Sequence, residues 1–218
     1  MTHINKGKPF PLGSSLTSHG VNFSLVATNA EYVEILFFEK DDSIFPKTIL
    51  KLDQNHNTGP YWHAEIRDLH EGCIYAFRIK QKNNGINTNY EKKVLIDPCS
   101  RGITGWGNYK REYALKTNDN TNFCLKSVVC DRKLFNFKDY PRPKHSWEET
   151  IIYELHIKSF TESTNKTESC FKKFLKKIPY LKELGITSIE LLPIFCFDPT
   201  DAPNGLENFW GYSPINWF

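Results

Sequence analysis

The sequence has no apolar run long enough to cross a membrane. Its longest apolar stretch, residues 189–197, is interrupted by Glu190 and Pro193 and falls far short of the roughly 20 residues that a spanning helix requires. The first ten residues, MTHINKGKPF, also lack the apolar core of a secretory signal. We therefore expect a soluble protein with no membrane partner that stays in the cytoplasm, where it is made.

The cysteines show no pattern of a disulfide framework or a metal site. The chain has six cysteines and seven histidines, without a C-x-x-C pair and without ligand-like spacing between the two residue types. Scattered cysteines without a secretory signal are typical of reduced thiols in a cytosol-like compartment. The sequence predicts no bound metal and no disulfide.

Neither sign of charge dominates. The 218 residues carry 28 basic and 25 acidic side chains, and no run of five like charges occurs. Residues 1–148 hold 21 basic and 16 acidic groups, whereas residues 149–218 hold 7 and 9. Because the basic residues alternate with acidic ones, the pattern favours a solvated surface over a nucleic-acid interface, and we expect no nucleic-acid partner.

The first hundred residues have the alternation of β-strands. Apolar and polar residues alternate in segments 21–27, 61–66 and 74–80, and β-prone residues cluster in segment 32–39. Turn signals such as His19-Gly20 and Glu71-Gly72 separate them. Short strands at this spacing, with no helical period, predict a β-sandwich over residues 1–98.

Residues 99–148 have a looser pattern. Asp97-Pro98 ends the last strand, and the YPRP string at 140–143 is a stiff break in the chain. One more short extended segment is predicted near 126–129. The remainder is predicted to be a long linker on the surface.

Residues 149–218 change to a strand, helix and strand pattern. Residues 150–157 predict a strand, apolar residues at helical spacing between Phe171 and Leu184 predict a helix of about four turns, and 188–192 predict a second strand. Two strands joined this way are expected to be parallel with a right-handed crossover. Pro179 is expected to kink or break the helix.

The first of these strands is expected to be polar on one face. Glu154, His156 and Lys158 alternate with Tyr153, Leu155 and Ile157. A parallel strand covered on both sides would be apolar on both faces. The pattern therefore predicts a barrel interior or a functional site on the polar face.

Ten segments in order carry a resemblance to a known family. They are GKPFPLG (7–13), GVNFS (20–24), AEYVEILF (30–37), YAFR (75–78), LIDP (95–98), KSVVCD (126–131), PRPKHSWE (141–148), IYELHIKSF (152–160), YLKELGITSIELLP (180–193) and NFWGYSP (208–214). With this order and spacing, the chain resembles the N-terminal third of isoamylase-type and glycogen debranching enzymes, in glycoside hydrolase family 13 of the α-amylase superfamily.

The resemblance implies a mixed fold. Residues 1–98 would be an immunoglobulin-like β-sandwich of the carbohydrate-binding-module type, 99–148 a linker, and 149–218 the start of an incomplete (β/α)8 barrel. A complete barrel takes about 250 residues, and 71 residues follow Trp147 in this chain. We therefore expect two strands and one helix of a barrel that cannot close, and we expect 149–218 to be the less stable part.

The resemblance also bears on catalysis. In this superfamily the nucleophilic Asp, the acid Glu and a second Asp come from later barrel strands, and no segment of this chain matches them or the Asn-His motif of the third strand. No catalytic residue is therefore assigned, and no cofactor is expected. Glu154 and Glu190, with Asp198 and Asp201 just beyond, offer a candidate carboxylate pair of the chain's own. Burial as structural partners of nearby groups is the favoured interpretation of Glu154 and Glu190.

Substrate contact is predicted for four aromatic residues. Tyr212 matches the family's aromatic that stacks on the sugar beside the cleavage point, and Trp210 lies in the same string. Trp106 and Tyr109, flanked by glycines, are candidate stacking surfaces because a flat aromatic face suits the apolar face of a pyranose. The alternative is that Phe209, Trp210 and Tyr212 only fill their own loop. Trp62 is predicted to be core.

The leading functional hypothesis is a truncated debranching-type glycoside hydrolase whose parent reaction is hydrolysis of α-1,6 branch linkages, inactive as this chain alone. The expected partner is an α-glucan (glycogen, amylopectin or a branched maltooligosaccharide), together with a second polypeptide if one completes the barrel. Branching enzymes and trehalose-releasing relatives share the architecture, although segments 126–131 and 208–212 resemble the isoamylase type more closely. Two further hypotheses are a non-catalytic glucan-binding protein and an inert, aggregation-prone remnant of an interrupted gene.

Overall fold

The computed structural model describes residues 3–82, 92–131, 140, 142–161 and 168–217. The chain divides into two compact units, residues 1–135 with 216–218 and residues 136–215. No helix in the described ranges is both long and apolar enough to span a bilayer.

The first unit is built almost entirely of short strands. In chain order they are β1 (Ile4–Asn5), β2 (Gly13–Leu16), β3 (Gly20–Val26), β4 (Ala30–Phe38), β5 (Thr48–Leu52), β6 (Asn57–Thr58), β7 (Tyr61–Arg67), β8 (Ile74–Gln81), β9 (Val94–Leu95), β10 (Gly102–Thr104) and β11 (Lys126–Val128). One short helix, α1 (Arg111–Leu115), and the 3-10 turns Gln54–His56 and Thr121–Phe123 complete it.

These strands form two antiparallel sheets. The first has the order β1-β7-β3-β2, with β6 also on β7, and the second has the order β10-β11-β8-β4-β5, with β9 also on β8. The four segments predicted from alternation correspond to β3, β4, β7 and β8. The β-sandwich expected from the sequence is therefore confirmed.

The core lies between the two sheets, because alternate residues of each strand point inward. Phe23 on β3 packs its ring against Tyr75 on β8, with centroids 4.8 Å apart, and Val33 and Ile35 on β4 are fully buried. Each such side chain contributes about 1.5–3 kcal/mol by leaving water. Trp62 is 2% exposed and donates its Nε1–H to the Ala27 carbonyl at 3.1 Å, which confirms it as core.

Part of the segment predicted as a surface linker belongs to the sandwich. Gly102–Thr104 pairs with Lys126–Val128, and the latter pairs in turn with β8. Val94 and Cys124 pack with Leu36, Phe38 and Ala76 on the outer face of the second sheet. The outer face carries apolar side chains that would otherwise be exposed to water. Residues between 92 and 129, which have a loose sequence pattern, cover this face. Residues 132–139 and 141 of the predicted linker lie outside the described residues.

The second unit contains short helices and strands. They are β12 (Ile152–Leu155), α2 (Ile157–Phe160), α3 (Cys170–Leu175), α4 (Ile178–Glu183), β13 (Ser188–Leu191), β14 (Cys196–Phe197) and β15 (Pro214–Asn216), the last ending at the unit boundary. A 3-10 turn, Trp147–Glu149, precedes β12 and carries a capping box from Ser146 and Glu149. Strands β14 and β15 form a two-stranded sheet.

The predicted strand, helix and strand pattern is present. β12 and β13 pair in parallel, with Tyr153 opposite Ile189 and Leu155 opposite Leu191. The predicted helix is two helices, and Pro179 stands in the first turn of the second one, where its missing N–H costs no hydrogen bond. The break expected at Pro179 is therefore confirmed. That these elements begin a (β/α)8 barrel stays a prediction.

The first strand is shorter than predicted. It ends at Leu155, and His156 becomes the N-cap of α2 because its side chain accepts a hydrogen bond from the Ser159 backbone N–H. Lys158 is therefore on a helix, and the expected alternating polar face extends no further than Glu154. A side-chain cap at His156 outweighs the period-2 pattern of the flanking residues.

Candidate carbohydrate-contact surfaces

The first candidate surface, here called the sandwich platform, consists of Trp106 and Tyr109 after β10. Trp106 is 39% exposed and Tyr109 is half-buried. Their ring centroids lie 5.6 Å apart with an interplanar angle of 75°. The edge-to-face contact braces the indole, whose open face can stack on a sugar ring.

Backbone and side-chain contacts hold the sandwich platform in place. Gly105 has φ +93°, and a Cβ there would lie 3.1 Å from the Cys124 carbonyl oxygen, so both conformation and space require glycine. Asn108 donates its Nδ2–H to the Asp42 carbonyl at 2.8 Å, and Lys126 donates its Nζ–H to the Asp41 carbonyl at 3.0 Å. The sandwich platform is thereby attached to the turn that follows β4.

The second candidate surface, here called the Trp210 loop, is residues 208–212. Asn208 holds it in shape by donating from Nδ2 to the Tyr212 carbonyl at 2.7 Å and accepting at Oδ1 from the Gly211 N–H at 3.1 Å. Trp210 and Tyr212 are 52% and 56% exposed. Both predicted sugar-contact residues thus present aromatic surface outside the core.

His156 lies against the aromatic residues of the Trp210 loop, a role that its position in the sequence pattern did not indicate. Its ring centroid lies 5.1 Å from that of Phe209 and 5.4 Å from that of Trp210. Its Nδ1 lies 2.9 Å from the Ser159 hydroxyl. Burial, together with the charge of Lys158, lowers the pKa of His156 below its usual value. The neutral ring therefore packs as an aromatic side chain would.

The candidate carboxylate pair is not buried, contrary to the favoured interpretation. Glu154 and Glu190 are register partners on β12 and β13, and both are exposed. The strand face that carries them has no cover among the described residues, so water solvates both side chains. Asp198 is 2% exposed and accepts hydrogen bonds at Oδ1 from the Thr200 N–H and hydroxyl, at 2.8 and 2.6 Å. That carboxylate holds a turn.

Within the described ranges, no group of three His, Cys, Asp or Glu side chains is arranged to hold a metal ion. All six cysteines are free thiols.

The first unit thus has the architecture of a β-sandwich, and part of its sequence matches a known family. Residues 11–100 match the model of carbohydrate-binding module 48, the isoamylase N-terminal domain. This match confirms the resemblance to isoamylase-type debranching enzymes stated from the sequence. The sandwich platform at 106–109 lies just beyond the matched residues.

Solved structures of several bacterial proteins are similar to this chain. The catalytic module of the glycogen-degrading pneumococcal virulence factor SpuA has a TM-score of 0.70 at 21% identity, covering 97% of this chain and 32% of that one. The group B Streptococcus pullulanase SAP in complex with maltotetraose has 0.65 at 21%, covering 86% and 24%. The pullulanase of Bacillus acidopullulyticus has 0.65 at 19%, covering 94% and 24%.

These similarities show a shared fold. The chain spans about a fifth to a third of the length of the structures it resembles, from 20% to 32% for the SpuA structures.

Proposed function

We propose that the protein binds α-glucan through the sandwich platform. The observation that carries this proposal is the match of residues 11–100 to carbohydrate-binding module 48. The sandwich platform supplies a surface for stacking on sugar, because Trp106 is a partly exposed indole in the turn after β10 and its ring is braced by Tyr109. A rigid aromatic surface loses little conformational entropy on binding.

Affinity electrophoresis of the full chain through glycogen-containing gels tests this proposal. We expect retardation that maltoheptaose reverses, and a dissociation constant about tenfold higher in Trp106→Ala, equivalent to about 1.4 kcal/mol. Trp147→Ala is the matched control, since Trp147 is 85% exposed and belongs to the second unit. Migration of the unaltered chain that glycogen does not change would refute the proposal.

We further propose that the chain corresponds to the front of a debranching-type glycoside hydrolase. In this proposal 1–98 are the binding module, 99–148 the connection, and 149–218 the first β-α-β part of a (β/α)8 barrel. The parallel pairing of β12 and β13 supports it, as does the similarity to pullulanase and glycogen-degrading structures. The parent reaction would be hydrolysis of α-1,6 linkages in branched α-glucans.

In that enzyme the Trp210 loop would contact substrate. β14 and β15 flank it, and Asn208 fixes the backbone on both sides of Trp210, so Trp210 and Tyr212 are held at a defined place. In this proposal the catalytic carboxylate pair, which retaining hydrolysis places about 5 Å apart, would come from later strands of the barrel.

Two measurements test this larger proposal. The chain alone should release no reducing ends from pullulan or glycogen. The native species in source cells should be several times heavier than 25.4 kDa, or should copurify with a second polypeptide. A native species of 25.4 kDa that binds glycogen without a partner would favour the second candidate, a non-catalytic glucan-binding protein, which the exposed Trp106 also supports.

A further inference from the structure

A groove of about 430 Å³ lies on the sandwich unit. Its main lining residues are Phe45 and Ile49 from the turn and strand after β4, Arg78 from β8, and Asp119, Thr121 and Phe123 from the segment before β11. Below it is called the Phe45 groove. Its size lies within the range of small-molecule sites, about 300–1,000 Å³.

One side of the Phe45 groove is apolar and exposed. Phe45 is 68% exposed and Ile49 is 47% exposed, although both are large apolar side chains. Phe123 is held by Tyr113, with ring centroids 4.2 Å apart, and by Lys110, whose Nζ lies 4.7 Å from its ring centroid. This side therefore offers aromatic surface on a fixed base.

The other side of the groove is a cluster of polar side chains that are hydrogen-bonded to one another. Asp119 Oδ1 accepts from the Thr121 N–H at 2.9 Å and from the Thr121 hydroxyl at 2.5 Å. The Arg78 guanidinium donates to Glu34 at 3.3 Å and to the Thr121 hydroxyl oxygen at 3.4 Å. The buried Nε of Arg78 has no hydrogen-bond partner among the described residues.

The carboxylates of this cluster favour a hydroxyl-bearing ligand over an anionic one. The Arg78 guanidinium is already paired with Glu34. Asp119 adds a negative charge. Burial raises the pKa of Asp119, but the Thr121 hydrogen bonds and the charges of Arg78 and Lys92 outweigh it and lower that pKa, so the carboxylate is ionised. An ionised carboxylate beside an aromatic ring suits a neutral ligand rich in hydroxyl groups.

We propose that the Phe45 groove is a second α-glucan contact of the sandwich, in which a glucose ring stacks on Phe45 and donates a hydroxyl hydrogen bond to Asp119. The proposal rests on the proposed glucan binding and adds a site to it. The Lys110 N–H donates to the Phe123 carbonyl at 3.3 Å, so the segment carrying Trp106 and Tyr109 continues directly into the base of the groove.

Calorimetric titration of the full chain with maltoheptaose tests the proposal. We expect Phe45→Ala and Asp119→Asn each to raise the dissociation constant about five- to tenfold, the scale of one lost stacking or charge-assisted contact. Ile44→Ala is the matched control, because Ile44 is 44% exposed beside Phe45 and does not line the groove. Thermal unfolding of each variant checks that the fold is kept.

Nitrogen-15 NMR gives an independent result. Maltoheptaose should shift the amide resonances of Asn122 and Phe123 as well as those of 106–109. If Trp106→Ala weakens binding while Phe45→Ala does not, and the 122–123 amides do not shift, the groove proposal is wrong and the proposed function stands. If the unaltered chain does not bind maltoheptaose, both fail.

Discussion

The two units of this chain bury their apolar side chains to very different extents. In the sandwich, both sheets contribute inward residues to one continuous core, among them Phe23, Ile35, Ala64 and Phe77. In the second unit the described core consists of Leu155, Ile157, Phe174 and Leu181. Both units have periodic apolar residues, at strand spacing in the first and largely at helical spacing in the second. The difference shows that apolar periodicity produces a stable core only where a second layer covers it.

The apolar residues of the second unit are largely exposed instead. Ile152 on β12 and Ile189 and Leu191 on β13 are 55%, 38% and 36% exposed. The helices add further exposed side chains: Phe171, Leu175, Tyr180 and Leu184. Burial of such groups is the dominant favourable term in folding, so the second unit is expected to be the less stable one.

The largest expected effect comes from deleting one phenylalanine in each core. Phe23→Ala should lower the free energy of unfolding of the sandwich by about 3–5 kcal/mol, because the surrounding sheets cannot close the cavity. Phe174→Ala should leave the sandwich transition unchanged and abolish the second unit's own transition. Urea unfolding followed by the fluorescence of buried Trp62 reports the sandwich. A shift of that transition in Phe174→Ala would contradict the independence of the two units.

Hydrogen exchange of the unaltered chain compares the local stability of the two units. Amides of β3, β4 and β8 should exchange at least about a hundredfold more slowly than those of β12, β13 and α4, a difference of about 2.7 kcal/mol in opening free energy. Mass spectrometry after peptic digestion measures both sets in one sample. Equal protection would show that exposed apolar surface does not weaken the second unit.

The next largest effect on stability is expected from substituting two buried aspartates, one in each unit. Asp97 is fully buried and accepts from the Tyr75 hydroxyl at 2.6 Å, across 22 residues of sequence, whereas Asp198 accepts from Thr200, two residues later. Burial, followed by the charge of Asp97, raises the pKa of Tyr75 well above its usual value. Asp97→Asn should cost the sandwich about 1–3 kcal/mol. Asp198→Asn should change only the local turn, and thermal unfolding of both variants measures the contrast.

The smallest effect is a pH dependence confined to the second unit. Because the fold lowers the pKa of His156, the unfolded chain binds this proton at higher pH than the folded chain does. The stabilisation is present above the ordinary value of 6.5 and is lost as the pH falls through the lowered pKa. Exchange protection of β12 should therefore decrease between neutral and mildly acidic pH. His156→Gln should flatten that dependence while leaving β3 unchanged.

Much of the fold could be predicted from local patterns. The alternation in 21–27 and 74–80 predicted β3 and β8, and Pro179 predicted the break between α3 and α4. These features depend on side-chain period and on the missing N–H of proline, which act within a few residues. The order of motifs also identified the relationship to debranching enzymes.

Other features could not be predicted in this way. β10 has only three residues, and its place in the second sheet depends on pairing with β11, more than twenty positions later. The Phe45 groove combines Phe45, Arg78 and Asp119, which have no common sequence pattern. The exposure of Glu154 and Glu190 likewise depends on which layers cover the β12–β13 pair.

By itself, the sequence determined the strand periods, the helix break and the family of residues 11–100. Each of these depends on neighbouring residues or on a linear order of motifs. Only the tertiary structure decided that residues near 94 and 124 cover the outer sheet face, that His156 packs on Phe209 and Trp210, and that a polar cluster forms beside Phe45. The physical reason is that burial is set by whichever distant segment packs on a given face, and a local pattern contains no information about that partner.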